Sequence, residues 1–149
     1  MTVELTFSLD ERNFPARITR AYAAGYTGRD QDAVQAHVDE LAPQGIAPPP
    51  HVPMLYPLIP TLLTTADTIC LLGEHSTPEV EVAFLRIDGV DYVTVASDHT
   101  DRRIEARSIP LAKTACPKPL GRELWRLDDV IEHWDRLELS SQSGGTQLQ

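Results

Sequence analysis

The chain has 149 residues, a length suited to one domain with its own core. Its formal net charge of −9 argues against a nucleic acid or an anionic membrane surface as partner, because both need a basic patch. The opening stretch MTVELTFSLDER lacks a basic segment followed by an apolar one, and no apolar run is long enough to span a bilayer, so a cytoplasmic protein with no membrane partner is expected.

Val3, Leu5, Phe7 and Leu9 alternate with polar residues, which predicts a half-buried strand, with residues 17–22 as its partner across a turn at 10–15. The one main helix is predicted near residues 30–42, capped by Thr27 or Asp30, turned inward through Val34, Val38 and Leu41, and ended by Pro43 and Gly45. On it, His37 and Glu40 stand at i and i+3. They read either as a solvated pair or as an imidazole oriented by a carboxylate, able to act as a general base.

The chain's twelve prolines are densest over residues 43–60, where they predict extended chain. In the apolar stretch that follows, Pro57 and Pro60 limit any helix to a short piece. A short buried strand is predicted at 68–72, and Cys70 and Cys116, which lack CxxC spacing, are expected as buried thiols.

The most informative stretch is PEVEVAFLRIDGVDYVTVASDHTDRR, residues 78–103. Two alternating runs flank Asp88-Gly89, a dipeptide suited to a two-residue type I′ turn, so strands are predicted at 79–87 and 90–98. That turn sets the register: Ile87 faces Val90, Leu85 faces Tyr92, Glu81 faces Ala96 and Glu79 faces Asp98. Glu79, Glu81 and Asp98 then share one face, where like charges beside apolar neighbours are costly. A bound divalent cation would resolve the conflict.

Beyond the hairpin, residues 99–106 predict a short helix capped by Thr100, with Arg102 near the carboxylates as an anion-binding group or a surface ion pair. Residues 108–115, carrying Lys113, are read as extended, 116–121 as a rigid turn, and 136–139 as a last strand. Leu124, Trp125, Leu127, Val130, Ile131 and Trp134 are read as core contacts of a short helix, residues 1–139 as a single domain, and the polar tail 140–149 as disordered.

Three separated motifs resemble the fumarylacetoacetate hydrolase-like superfamily, and more closely a small bacterial branch of unsettled function. Gly28-Arg29-Asp30 followed by His37-Val38-Asp39-Glu40 resembles its lid segment with an H-x-x-E dyad. Glu79-Val80-Glu81 resembles its E-x-E metal motif, and Ser97-Asp98-His99-Thr100-Asp101-Arg102 the segment that supplies a third ligand and a substrate-contacting Arg. Lys113 falls where the superfamily has a substrate-contacting Lys, and Leu55-Tyr56-Pro57 where it has an aromatic residue followed by a cation that Pro57 replaces here.

The resemblance implies an α+β, β-rich fold, a mixed β-roll whose C-terminal part is incomplete in this chain. It implies Mg2+ or Mn2+ on Glu79, Glu81 and Asp98, catalytic roles for His37, Glu40 and Lys113, and substrate contacts from Arg29, Arg102 and Tyr56. The implied activity is a metal-dependent hydrolase, or a related enolate-forming lyase or isomerase, acting on a small 2-oxo acid or 1,3-dicarbonyl compound. The alternative is a non-hydrolytic small-molecule binding or cyclase-like protein of a biosynthetic pathway on the same scaffold, or a non-catalytic subunit. A homodimer is expected, and the sheet edge left by the missing strands would be covered by a partner or by a second copy.

Overall fold

A computed structural model of the chain describes residues 1–44 and 47–148, the side chains of His37, Leu41 and Gln44 excepted. Asp10 and Glu11, at φ 50° and 62°, turn β1 (Val3–Leu9) tightly into β2 (Arg12–Ile18), so the partner strand starts five residues earlier than the predicted 17. β3 (Ala21–Gly25) leads to α1 (Gln31–Leu41), capped by Asp30, whose Oδ1 accepts from the Asp32 and Ala33 amides at 3.0 and 3.2 Å.

β4 (Met54–Leu58) pairs with β3 where only irregular chain or a short helix was expected. In a two-stranded sheet each strand keeps a free edge, which is how Pro57 is tolerated opposite Tyr22. β5 (Leu63–Thr64) and β6 (Ser76–Thr77) are two-residue strands. The strand predicted at 68–72 does not form: this stretch is irregular, Leu72 is 83% exposed, and Cys70 is exposed rather than buried, while Cys116 is buried as expected.

The central hairpin is β7 (Val80–Ile87) and β8 (Val90–Ser97). Asp88 and Gly89 close it at φ 51° and 82°, and its register matches the one counted from the turn. The Asp98 amide donates to the Glu79 carbonyl at 2.9 Å, carrying the pairing one step past the strands.

β9 (Thr100–Asp101) pairs with β6, and α2 (Arg102–Glu105) follows, capped by Asp101 and not Thr100. Residues 108–115 are helical rather than extended: α3 (Ile109–Thr114) has Ser108 as cap and Pro110 in its first turn, where the missing amide is harmless. β10 (Lys118–Pro119) pairs in parallel with β5, and β11 (Trp125–Arg126) adds to the outer side of β8. α4 (Leu127–Val130) and a 3₁₀ segment Ile131–Arg136 end the ordered body, with no strand at 136–139. The tail, expected as disordered, carries a small hairpin of β12 (Gln142–Ser143) and β13 (Thr146–Gln147) about Gly144-Gly145.

The main core packs Leu5, Phe7 and Ala16 of the first hairpin against Leu85, Ile87 and Tyr92 of the central one, with Leu124 between them. Leu124 is buried because its amide donates to the Ser8 carbonyl at 2.9 Å, laying the chain along β1. Trp125 and Ile131, expected in the core, are about half exposed instead. The protein is therefore a small α+β, β-rich domain of several short sheets and few helices. Among the described residues no helix is long and apolar enough to cross a membrane.

Candidate functional site

The open end of the central hairpin faces a cleft of about 640 Å³. Glu81, Ser97, Asp98 and Lys118 line one end of it, and Ile18, Ala23, Leu58, Leu63, Leu85 and Leu120 contribute apolar wall. Another cavity, of about 230 Å³, lies between α1 and the proline-rich chain near Pro48, Pro49 and His51.

Register brings the carboxylates together, and three distant segments bring cations to them. β6–β9 pairing sets Arg102 beside the hairpin, where Nη2 meets Glu79 Oε1 at 2.6 Å while Nε donates to Thr77 Oγ1 at 2.6 Å. α3 ends beside the same group: Lys113 Nζ lies 2.9 Å from Glu79 Oε2, 2.8 Å from Asp98 Oδ2 and 3.1 Å from Thr100 Oγ1. Leu120 bridges Ala96 in antiparallel register, and continuing that register two residues puts Lys118 opposite Asp98. Lys118 Nζ lies 2.6 Å from Asp98 Oδ1 and also donates to the His99 carbonyl. The Lys118–Asp98 contact lacks hydrogen-bond alignment, so buried Oδ1 has a close cation but no hydrogen-bond partner.

Burial lowers the affinity of both lysines for a proton, and their partners decide the outcome differently. For Lys113 the hydrogen bonds and charges of Asp98 and Glu79 outweigh burial and raise its pKa. Lys118, with Asp98 alone and Lys113 repelling it, stays below the usual lysine range, chiefly through burial. Glu81 joins no ion pair among the described residues. Although water reaches part of it from the cleft, crowding on the sheet side, followed by the charges of Asp98 and Glu79, pushes its pKa up. Ser97 Oγ accepts from the Glu79 amide at 3.3 Å and lies 2.7 Å from His99 Nδ1, whose ring is held below its ordinary pKa mainly by burial.

Tyr56 is buried behind Lys113 with Tyr26 beside it; burial raises both phenols, and each feels Lys113 and Glu105. The structure thus gathers Glu79, Glu81, Asp98, Arg102, Lys113 and Tyr56. Arg29 is elsewhere, in an exposed ion pair with Asp135 at 2.5 Å. His37 and Glu40 lie on α1, which makes no extended contact with β7, β8 or α3 among the described residues; Glu40 is exposed, and the His37 side chain is outside the described set. Sequence reasoning missed Lys118, because Cys-Pro-Lys-Pro signals only a stiff turn and the Leu120–Ala96 bridge that aims it is a long-range pairing.

Fold and site together define a small β-rich domain with an ion-paired polar cluster at one end of a cleft. A family model described as a protein of unknown function, DUF2848, matches residues 24–148, and the chain belongs to that family. No curated protein and no solved structure matches it.

Proposed function

We propose that the chain is a fumarylacetoacetate hydrolase-like protein, built on that superfamily's β-roll, whose cleft takes a small 2-oxo acid or 1,3-dicarbonyl compound and breaks or rearranges it through an enolate. What carries this reading is the convergence of Glu79, Glu81, Asp98, Arg102 and Lys113, from three separated segments, in one cluster whose Glu81 and Asp98 line a cleft large enough for such a ligand. Tyr56 behind Lys113 adds to it.

The Mg2+ or Mn2+ implied by the resemblance fares less well. Glu79, Glu81 and Asp98 offer hard oxygen donors, the right chemistry for such an ion. Yet both oxygens of Glu79 and both of Asp98 already face a cation at 2.6–2.9 Å. An octahedral Mg2+ needs the same oxygens at about 2.0–2.1 Å. As arranged, the residues do not fit the ion, and no step is routed through it.

In the proposed reaction, water adds to one carbonyl of the dicarbonyl, and His37 with Glu40 behind it, which the resemblance implies as the activating pair, would have to approach from α1. The C–C bond breaks, its electron pair passes to the oxo-acid half as an enolate, and Lys113 protonates that carbon, leaving a carboxylic acid and a 2-oxo acid. Lys113 and Arg102 lower the energy of the developing negative charge. Arg29 would have to leave Asp135 to reach the ligand.

Incubation with an acylpyruvate, followed by loss of its enol absorbance, tests the reading. Turnover by the wild type that disappears in His37→Ala and Lys113→Met is expected; an unchanged spectrum overturns hydrolysis. The saturated ion pairs of the cluster favour a second reading, a non-hydrolytic binding or cyclase-like protein, for which calorimetry would register acylpyruvate binding without turnover.

The same proposal includes a cytoplasmic homodimer. Among the described residues no strand pairs with the outer edge of β7, and Val82, Phe84, Val95 and Trp125 share an exposed face of the same sheet. A monomeric mass in solution at micromolar concentration would remove the dimer.

A further inference from the structure

We propose that Lys113 and Lys118 are the resident cations of this cluster, their ammonium groups standing on the Glu79 and Asp98 oxygens that a divalent ion would need, so that the cleft works without a metal. The inference rests on the cleft being the ligand site, and it carries the ion-pair geometry one step further.

Charge balance is the first reason. Within one connected set of contacts Glu79, Asp98 and Glu105 contribute three negative charges and Arg102, Lys113 and Lys118 three positive ones, while Glu81 stands beside the set without an ion pair among the described residues. Even with Glu81 as a ligand, a divalent ion added there would leave an uncompensated positive charge beside the buried Lys113 and Lys118.

Position is the second. A lysine on a loose surface loop would swing aside for a metal, but the Lys118 side chain is only 5% exposed. Its backbone is held between Pro117 and Pro119, in parallel pairing with β5 and next to the Leu120–Ala96 bridge, and its ammonium also serves the His99 carbonyl. Lys113 is anchored from the other side by α3, with hydrogen bonds to Glu79 and Thr100 and an ion contact to Asp98 at 2.8 Å. Withdrawal of Lys118 would leave Asp98 with Lys113 alone, and withdrawal of Lys113 would leave Asp98 with Lys118 alone and Glu79 with Arg102 alone.

The donor arrangement is the third. Glu81, the carboxylate without a cation, is left as a single ligand facing the cleft, and among the described residues no three acidic, histidine or cysteine side chains are disposed to hold an ion. Positive charge for a ligand's carboxylate or enolate oxygen is then supplied by fixed ammonium groups, which need no loading step.

Manganese titration of the full-length protein, read by calorimetry and by thermal melts in parallel, tests this. The wild type is expected to show no saturable binding and no shift in Tm. Lys118→Met frees Asp98 Oδ1 and is expected to gain saturable binding, with a Tm rise of about 5 °C or more at a hundredfold excess over Kd, abolished by adding Asp98→Asn. If Lys118→Met does not fold, Lys118→Gln retains a donor for the His99 carbonyl and takes its place. Stoichiometric manganese binding by the wild type, weakened in Glu81→Gln, overturns the proposal whatever the lysine variants do. Folded lysine variants that remain silent to manganese overturn it too. Acetopyruvate binding measured in chelator-treated buffer separates the two readings: a wild type silent to both manganese and acetopyruvate loses the oxo-acid function but keeps its resident ammonium groups.

Discussion

The two ends of the central hairpin are held by different physics. At the closed end, Asp88-Gly89 fixes the turn, and Leu85, Ile87 and Tyr92 bury apolar surface against the first hairpin. At the open end, Glu79, Glu81 and Asp98 sit on one face and would repel; Glu79 and Asp98 are held by Arg102, Lys113 and Lys118 arriving from other parts of the chain, and Glu81 has no ion pair among the described residues. The closed end is stabilised by burial that any similar apolar residue would supply. The open end depends on complete pairing, because a buried charge that loses its partner costs more than the pair contributes.

The contrast predicts a ranking. Lys118→Ala should be the most damaging change, costing about 3–5 kcal/mol in chemical denaturation because Asp98 keeps only Lys113. Leu85→Ala at the closed end should cost about 2–5 kcal/mol. A Lys118→Ala loss well under that of Leu85→Ala would show that water reaches the open end freely and would break the comparison.

Glu81→Gln should act with the opposite sign. The Glu81 pKa is raised above 4.5 in the folded chain, so between 4.5 and its folded value the folded state holds a proton that the unfolded state has lost. Stability contributed by this group therefore falls as pH rises through that window, and the penalty persists at neutral pH. The glutamine variant should melt higher than the wild type at neutral pH, with the difference vanishing below about pH 4.5. A variant that melts lower at neutral pH would mean that Glu81 has a cationic partner in solution.

Arg86→Ala is the smallest expected effect. Its guanidinium meets Asp91 through two contacts of 2.7 and 2.6 Å near the closed end, as short as those around Asp98, yet it is exposed. Its melt should be indistinguishable from the wild type, since distance without burial contributes little.

Legibility follows the same division. The β1 alternation, the Asp30 cap and the central register were readable because each depends on neighbours within a turn or a two-residue step. β4 was missed where Pro57 was read as a limit on structure, and α3 where residues 108–115 were read as extended: Pro57 sits on a strand with a free edge and Pro110 in a helix's first turn, and in both places the lost amide has nothing to bond. Cys70 was misplaced because an apolar neighbourhood in sequence is not a strand. Among candidate site residues, Glu79, Glu81, Asp98, Arg102, Lys113 and Tyr56 meet in space, Arg29 and the α1 positions His37 and Glu40 lie apart from them, and Lys118 was invisible until the chain folded back along β8.

The amino-acid sequence by itself determined that three carboxylates would share one face at the open end of a hairpin, since a two-residue turn leaves one register. Only the tertiary structure decided what answers that charge. The cations come from residues 102, 113 and 118, and their approach depends on β6–β9 pairing, the seat of α3 and the Leu120–Ala96 bridge. Long-range pairings of that kind leave no periodic trace in a sequence, whereas the repulsion they resolve does.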